Sequence, residues 1–458
     1  MTTAFRARWL LPVTAPPIRD GALIVDGAGR IVALGPAAST PVPAGAQVTD
    51  LGEAALLPGL VNTHAHLELS FLRGRLEDLE FTEWIPALLA ARRDALRDDA
   101  DGLCTARWSL LEALAGGITT IGATEDSRAG LLALRESGQR GVIFRETFGP
   151  AALQWREAIA RLEDEVSSMR DLETDLVRVG VSPHAPYSVS DPLFSATARL
   201  AVERGLPLAV HTAESRAEVE LVTAASGVFA ERLRGRGIAT APRALSTVAL
   251  LHDLGVLGAR PLLIHCVFVG AADVARIVES RSTVAHCPIA NARLGHGVAP
   301  LAALLDAGVC VGLGSDSVAS NNRMDLLEEA RTAQLLQRAV RSDAAALPSA
   351  TLLRLVTLDG ARALGLDDRI GSLEPGKDAD LCAVSLAGTH VRPVHDPLAA
   401  LFHSARATDV ALTVVRGRVL YRDGRFAHAD AAESAAAIET IAERVRAAGK
   451  PPAGRARA

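Results

Sequence analysis

The chain contains little lysine and no long apolar run. Its 48 basic residues include only two lysines, Lys377 and Lys450, and 53 acidic residues leave a formal net charge of -5. This balance provides no basic surface for nucleic acid or an anionic membrane, so we expect a small-molecule partner. No apolar run reaches the roughly 20 residues that span a bilayer. The N-terminal region is broken by prolines, and we expect no secretory signal there.

Cysteine is also scarce, with five scattered residues. Most of them lie inside apolar runs, and their odd number does not fit a framework of paired disulfides. We therefore predict reduced core cysteines and a cytoplasmic protein. The five residues are Cys104, Cys266, Cys287, Cys310 and Cys382.

Eight apolar runs recur between Leu56 and Asp316, and most are followed by a longer stretch with helical periodicity. Unalternated apolar strands separated by helices indicate a buried parallel sheet, and eight such units predict an α/β fold with a closed (β/α)8 barrel. The runs cover residues 55–66, 117–127, 141–149, 177–188, 207–215, 261–269, 283–291 and 309–317.

The flanking regions have a different pattern, with short strands and Gly-Asp turns. We predict that residues 1–55 and 372–427 together form a small β-sandwich domain, while residues 56–371 form the barrel. Residues 428–458 have the pattern of a helix followed by a tail rich in Pro, Gly and Arg, and we expect this tail to have no partner. A chain of 458 residues is long enough for a large domain and a smaller one.

The first run ends in two histidines one residue apart, in the sequence PGLVNTHAHLELS. On a strand, the side chains of His64 and His66 leave the same face, which suits two ligands of one metal ion. Taken alone, the His-x-His pattern is loose, and it more often reflects two histidines that only form hydrogen bonds in a turn. The other strand ends decide between these interpretations.

Histidine or acidic residues stand at the C-terminal end of every run, the end at which such barrels carry their active sites. His211 from the fifth run and Asp316 from the eighth would meet His64 and His66 at one barrel mouth. Three imidazoles and a carboxylate suit one divalent, zinc-like ion with room for a water. Such an ion lowers the pKa of bound water from about 15.7 toward about 7 and makes hydroxide available at neutral pH.

Two further residues could take part in this chemistry. Glu214 could accept the proton of the water and deliver it to the substrate, and His265 could orient the water or stabilise charge at the attacked carbon. Each residue also has an ordinary structural explanation: core histidines for His265 and His286, a helix N-cap for Asp316, and an exposed helical face for Glu214 and Glu218. One metal site accounts for all of them together, so we favour a metal-dependent hydrolase.

Six segments of the chain together resemble the amidohydrolase superfamily. In chain order they are PGLVNTHAHLELS, SPHAPYS, HTAES, IHC, HCPIANARLG and GLGSDS. The resemblance is to its aminohydrolase branch of cytosine, guanine and adenosine-type deaminases and triazine hydrolases, and GSLEPGKDADLCAV extends it to the C-terminal β segment. It implies that Asp316 also accepts the proton of the water. The other roles it implies are metal ligands at His64, His66, His211 and Asp316, a proton shuttle at Glu214, and a place beside the hydrolytic water for His265.

Superfamily members with two metal ions bridge them with a carboxylated lysine at the end of strand 4. Lys377 and Lys450 lie outside residues 56–371, and His184 stands at the end of strand 4 instead. We therefore expect one divalent ion, Zn²⁺ or Fe²⁺. This favours aromatic C–N hydrolysis through a tetrahedral intermediate, with ammonia as the leaving group.

Within the branch, the chain most resembles the aminodeoxyfutalosine deaminases of a menaquinone route. The resemblance rests on the combination of HLELS, the LRG that follows it, Phe81 and Trp84. Methylthioadenosine/adenosylhomocysteine deaminases are the next most similar group, and the resemblance places His184 against the substrate. Phe81 and Trp84 could form an apolar wall or lid, although their spacing equally fits helix packing.

Several charged residues are candidates for substrate binding. Arg73 and Arg75 could anchor a carboxylate. Glu68 or Glu83 could replace the acidic residue that adenosylhomocysteine deaminases use for the ribose hydroxyls. Further candidates for the pocket lining are Glu146, Asn291 and Arg293.

Other functions stay open on the sequence alone. A guanine or cytosine deaminase, or a triazine chlorohydrolase, would keep the metal but change the substrate or the leaving group. Some barrels of the superfamily are structural proteins, and neither a non-catalytic scaffold nor a metal-binding module would need Glu214. We favour deamination of an adenine nucleoside, and we expect a homodimer because dimers are common in the family.

Overall fold

The computed structural model of the chain describes residues 2–449. Its strands form one sheet built from both ends of the chain and two parallel sheets built from the middle. In chain order the strands are β1 (Thr3–Leu10), β2 (Ile18–Val25), β3 (Ile31–Pro36), β4 (Gln47–Asp50), β5 (Ala54–Pro58), β6 (Leu60–His66), β7 (Ile118–Glu125), β8 (Arg140–Thr147), β9 (Val177–Pro183), β10 (Ala209–Thr212), β11 (Leu262–His265), β12 (Thr283–His286), β13 (Val311–Leu313), β14 (Asp316–Ser317), β15 (Leu381–Ser385), β16 (Val410–Val415), β17 (Arg418–Arg422) and β18 (Arg425–Phe426).

Helices alternate with the strands of the middle region. Several begin at a side chain that accepts a backbone N–H of the first turn, as Ser215 and Asp325 do. No helix within residues 2–449 has the length and hydropathy needed to cross a membrane. The helices are α1 (Phe81–Ala95), α2 (Asp99–Ala115), α3 (Ala129–Ser137), α4 (Trp155–Arg170), α5 (Asp191–Arg204), α6 (Arg216–Ala224), α7 (Gly227–Gly235), α8 (Thr247–Asp253), α9 (Ala271–Ser280), α10 (Pro288–Arg293), α11 (Leu301–Asp306), α12 (Val318–Asn321), α13 (Leu326–Arg341), α14 (Ser349–Leu355), α15 (Leu358–Ala363), α16 (Pro397–Ala399) and α17 (Ala431–Ala447).

The parallel strands close into a ring. Strands β6 to β9 pair in chain order, and so do β10 to β13. A bridge between Val181 and Leu208 joins the two sets, and β14 pairs with β6 through Asp316 and Ala65. Since β13 and β14 are two parts of one interrupted strand, the ring has the eight strands expected from the apolar runs. The predicted α/β fold class is confirmed.

The barrel strands are buried on both faces, which explains their unalternated apolar sequences. All eight residues of β7 are buried, as expected for a parallel strand between the barrel interior and the surrounding helices. The main apolar core extends outward from the ring to helix residues such as Leu110 of α2 and Val166 of α4. This core holds the strand ends in fixed positions at the mouth of the barrel.

The two ends of the chain share one sheet, in the order β18-β17-β16-β15-β5-β1-β2-β3, with β4 paired to β1. Strand β5 joins the N-terminal and C-terminal parts because it pairs with both β1 and β15, and the first barrel strand begins at Leu60. The division into domains at residues 55, 371 and 427 stays a prediction. Residues 450–458 of the predicted tail lie outside the described residues.

A buried ionic network links the barrel to this sheet. Arg140, at the start of β8, donates from Nε to Asp380 and from Nη2 to Asp378, each over 2.8 Å. The side chains of Arg140, Asp378 and Asp380 are only 1%, 3% and 1% exposed. Arg369 donates to Asp378 as well, so the charges are matched within the protein, as buried ions require.

The segment after β6 covers one side of the barrel mouth. Phe81 and Trp84 of α1 pack with Phe229 of α7 in an apolar cluster separate from the barrel core. Ile438 and Ile441 of α17 belong to the same cluster. The C-terminal helix therefore supports the wall that α1 builds above the strand ends.

Candidate active site

The four predicted metal ligands converge at the C-terminal end of the barrel. His64 and His66 lie at the end of β6, His211 lies on β10, and Asp316 begins β14. Ring nitrogens of the three histidines lie within 4.8 Å of one another. Oδ1 of Asp316 is 3.4 Å from Nε2 of His64 and 3.7 Å from Nε2 of His66. The structure thus brings these four residues together.

Two of the three imidazoles, those of His66 and His211, stay neutral at pH 7, which suits them to bind a metal. Burial, helped by the neighbouring His64, lowers the pKa of His66 to about 3, and burial lowers the pKa of His211 well below its usual value. Nδ1 of His211 lies 3.1 Å from the carbonyl oxygen of His184, which leaves Nε2 unprotonated. Nε2 of His64 is buried without a hydrogen bond to any described residue. These unused nitrogens fit a divalent transition-metal ion.

The backbone around Asp316 is shaped to bring its carboxylate to the histidines. A Cβ on Gly314 would lie 2.9 Å from Cβ of His64. A side chain at this position would therefore push the segment that joins β13 and β14 away from β6. Asp316 itself has a φ of +55°, a conformation that non-glycine residues rarely adopt outside functional sites. Ser317 N donates to Oδ1 over 2.7 Å and Ser320 Oγ to Oδ2 over 2.9 Å. The N-cap of α12 is Ser317, so capping does not explain Asp316.

Glu214 lies between two histidines beside this cluster. Its Oε1 is 3.5 Å from Nε2 of His265 and 3.3 Å from Nε2 of His296. Burial opposes its ionisation, but His265 and His296 outweigh that effect and lower the pKa of Glu214 below its ordinary value. The side chain is therefore a carboxylate at neutral pH and can accept a proton. His265 also lies within 4.8 Å of ligand atoms of His64 and Asp316.

A second carboxylate, Glu218, fixes the backbone that carries Glu214. Ala213 N donates to Glu218 Oε1 over 2.7 Å, and Glu214 N donates to Oε2 over 3.3 Å. Thr247 donates to Oε1 over 2.8 Å. Glu214 and Glu218 are 4% and 0% exposed, so the alternative that they form an exposed helical face is wrong.

Asn291 contacts His265 and does not line the cavity. Its Oδ1 lies 3.0 Å from Nδ1 of His265, which fixes the ring so that Nε2 faces Glu214. We therefore place Asn291 as a positioning residue, in contrast to the predicted contact with the substrate.

Replacing Asn291 with alanine should lower kcat about 10-fold, the scale for losing a hydrogen bond that orients a site histidine. Asn291→Asp keeps an acceptor and should retain most activity. Its carboxylate raises the pKa of His265, so the acidic limb of the kcat/KM profile should move to higher pH. Steady-state kinetics between pH 5 and 9 measure both effects. Equal kcat in the wild type and Asn291→Ala would contradict the positioning role.

A cavity of about 790 Å³ opens above the clustered residues. Three predicted substrate contacts, Trp84, Glu146 and His184, line it together with Phe81. Nδ1 of His184 is 2.7 Å from Ser188 Oγ, while Oε1 of Glu146 is buried without a hydrogen bond in the described part of the chain. Burial raises the pKa of Glu146 to about 8. A neutral carboxyl at this position can both donate and accept hydrogen bonds.

Two other predicted contacts lie away from the cavity wall. Arg73 forms an ion pair with Glu112 and donates to the carbonyl of Asn322. Glu68 is buried, accepts from Ser127, and lies 3.7 Å from Arg92. The structure gives both residues partners within the protein and no place among the residues that line the cavity.

Several residues of the site were not predicted from the sequence. Tyr187 lies inside SPHAPYS, a segment already singled out, whereas His296 lies one residue beyond the end of HCPIANARLG. The ring of Tyr187 stacks on Phe229 with centroids 4.3 Å apart. No sequence signal marked Phe229, because it lies on a helix more than 100 residues after α1.

Comparisons with known proteins agree with this geometry. A sequence model described as "Amidohydrolase family" matches residues 55–420. A 5-methylthioadenosine/S-adenosylhomocysteine deaminase from Moorella thermoacetica is 34% identical, over 93% of this chain and 95% of the relative. A 5'-deoxyadenosine deaminase from Methanothermobacter thermautotrophicus is 33% identical, over 81% of this chain and 83% of its own. The crystal structure of an adenosine deaminase from Xanthomonas campestris with bound zinc superposes with a TM-score of 0.84 at 30% identity, over 97% of this chain and 98% of that one.

Proposed function

The chain belongs to the amidohydrolase family as a hydrolytic deaminase, and on this premise we propose that it removes the exocyclic amino group of an adenine nucleoside and releases ammonia. We favour aminodeoxyfutalosine as the substrate, followed by methylthioadenosine, adenosylhomocysteine and adenosine. Relatives that act on adenine nucleosides support the substrate class.

The position of Glu214 carries the proposal. Its carboxylate lies within 3.5 Å of both His265 and His296, next to the three clustered imidazoles and at one end of a cavity with aromatic walls. A metal-storage site or a structural barrel has no need for a buried proton acceptor in this place. A hydrolase does, because its water must lose a proton and its leaving group must gain one.

His64, His66, His211 and Asp316 would hold the metal ion, for which we propose one Zn²⁺ or Fe²⁺. Zinc in the related adenosine deaminase structure supports this choice. When bound, the ion would supply a water activated for attack at neutral pH.

The residues of the chain would handle the protons and the substrate. Glu214 would take the proton from the attacking water and pass it to the ring nitrogen beside the amino-bearing carbon. His265, fixed by Asn291, would stabilise the charge that develops at that carbon. His184 and Glu146 would bind the purine or the ribose, and the aromatic wall would exclude bulk water.

The test is a deamination screen by ultraviolet absorbance, with ammonia release as a second readout. Metal-loaded protein would be offered adenosine, methylthioadenosine, adenosylhomocysteine, aminodeoxyfutalosine, guanine and cytosine. We expect turnover of adenine nucleosides, fastest with aminodeoxyfutalosine. Turnover of guanine or cytosine alone would replace the proposal with a base deaminase. If neither the nucleosides nor the bases react, a triazine substrate becomes the next to test.

A further inference from the structure

Three arginines line the cavity, and they differ in how their charges are matched. Arg92 donates to both carboxylate oxygens of Asp126, over 2.9 and 2.7 Å. Arg232 and Arg236 line the same cavity. Neither has a salt bridge or a side-chain hydrogen bond to any residue in the range 2–449. The cavity wall therefore carries two positive charges without a protein partner.

The spacing of the two arginines on and beside α7 directs them to the same side. Positions four apart share a helix face, and Phe229 and Leu233 of α7 also line the cavity. Arg234, between the two, bonds elsewhere, to Thr240 Oγ1 and to the carbonyl of Ala225. Arg232 and Arg236 are exposed residues, so they lie where the cavity opens to solvent.

The wall between the histidine cluster and these arginines is mainly apolar. Phe81 and Trp84 stack with centroids 6.2 Å apart, and Phe81 meets Phe229 edge to face at 6.3 Å. The volume of about 790 Å³ lies in the upper part of the range for drug-sized ligands, about 300–1,000 Å³. A nucleoside with a sizeable apolar substituent would fit this shape better than a free base.

We propose that Arg232 and Arg236 bind a carboxylate at the far end of an apolar 5′ substituent of the nucleoside. Guanidinium groups form charge-assisted, bidentate hydrogen bonds with carboxylates. The inference rests on the proposed deaminase function, because it takes the purine to lie at the histidine cluster. The alternative is that the two arginines only stabilise the helix dipole at the C-terminal end of α7. In that case their replacement would not change the preference between substrates.

A matched pair of substrates tests the proposal: 5′-S-(3-carboxyphenyl)-5′-thioadenosine and its carboxamide, which have nearly the same shape and differ in charge. The wild type should prefer the carboxylate by about 10-fold in kcat/KM, the scale of one hydrogen bond to a charged group. In the double variant Arg232→Gln/Arg236→Gln the two compounds should have equal kcat/KM, mainly through a higher KM for the carboxylate. Arg199→Gln, an exposed arginine of α5 outside the cavity lining, should keep the preference.

Binding of the same pair by calorimetry separates this proposal from the proposed function. A wild type that binds the carboxylate more tightly, with the preference lost in the double variant, supports the arginine site even if it deaminates neither compound; the nucleoside deaminase itself fails only if the adenine nucleosides of the screen are not turned over either. Equal affinity for the two compounds, or a preference that survives in a folded double variant, overturns the arginine site even if both are deaminated. Circular dichroism establishes that the variant is folded.

Discussion

Glu214→Gln is expected to lower turnover by at least about 10²-fold while the protein still binds its metal ion. Glutamine has nearly the same shape, so the contacts with His265 and His296 can persist, but its amide cannot accept a proton from water. Glu214 is absent from the groups of atoms close enough together to hold an ion, so metal content should not change. Deamination rates and elemental analysis of the purified variant measure the two quantities.

Glu231→Gln provides the control for this experiment. Glu231 is exposed on α7 and does not line the cavity, so the same loss of a carboxylate there should leave kcat unchanged. Near-normal kcat for Glu214→Gln would rule out the proton shuttle. Loss of metal from that variant would instead place Glu214 among the ligands.

Removing the metal ion is expected to abolish turnover and to lower thermal stability. Without the ion, the three imidazoles and Asp316 would no longer be held together by a common ligand, which lowers stability. Turnover would stop because no other group in the described site can generate a strong nucleophile at pH 7. A ligand that binds only the folded state contributes about 4 kcal/mol at a concentration 1,000 times its Kd. Dialysis against a chelator, followed by activity, melting temperature and elemental analysis, measures the change.

The metal-removal experiment also tests the number of ions. One equivalent of Zn²⁺ or Fe²⁺ should restore activity to the stripped protein. His211→Ala should not recover, whereas His252→Ala, which removes an exposed histidine of α8, should behave as the wild type. Full activity after complete metal removal would refute metal dependence, and a requirement for two equivalents would refute the single site.

The convergence of the predicted metal ligands could be foreseen from the sequence because of a property of parallel barrels. The C-terminal ends of all strands meet at one mouth, so polar residues at the ends of separate runs must lie near each other. This was enough to bring His64, His66, His211 and Asp316 together, although 252 positions separate the first from the last. The same rule brought Glu214 and His265 to the site.

This rule does not predict the cavity wall, of which the sequence suggested only Phe81 and Trp84. The wall is built by helices and loops whose relative positions depend on packing, as when Phe229 of α7 meets Phe81 of α1. The arginines show the same difficulty. Arg73 stands close to the predicted metal ligands in sequence, but it forms an ion pair with Glu112 and does not reach the cavity. Arg232 lies on a later helix, and its side chain lines the cavity. The sequence shows that an arginine is charged, but it does not show which carboxylate, if any, will form an ion pair with it in the folded protein.

The network around Arg140 has a consequence for how this protein can be altered. Arg140 and Glu146 occupy opposite ends of the same strand, β8, so the link to Asp378 and Asp380 lies far from the cavity. Loops at the mouth can be exchanged to change substrate preference without disturbing that link. A barrel separated from residues 372–427, in contrast, would lose Asp378 and Asp380, the two carboxylates that pair with Arg140; where such a pair stays buried, loss of one partner costs about 3–5 kcal/mol. The barrel is therefore open to redesign at its loops but not to separation from the two ends of the chain.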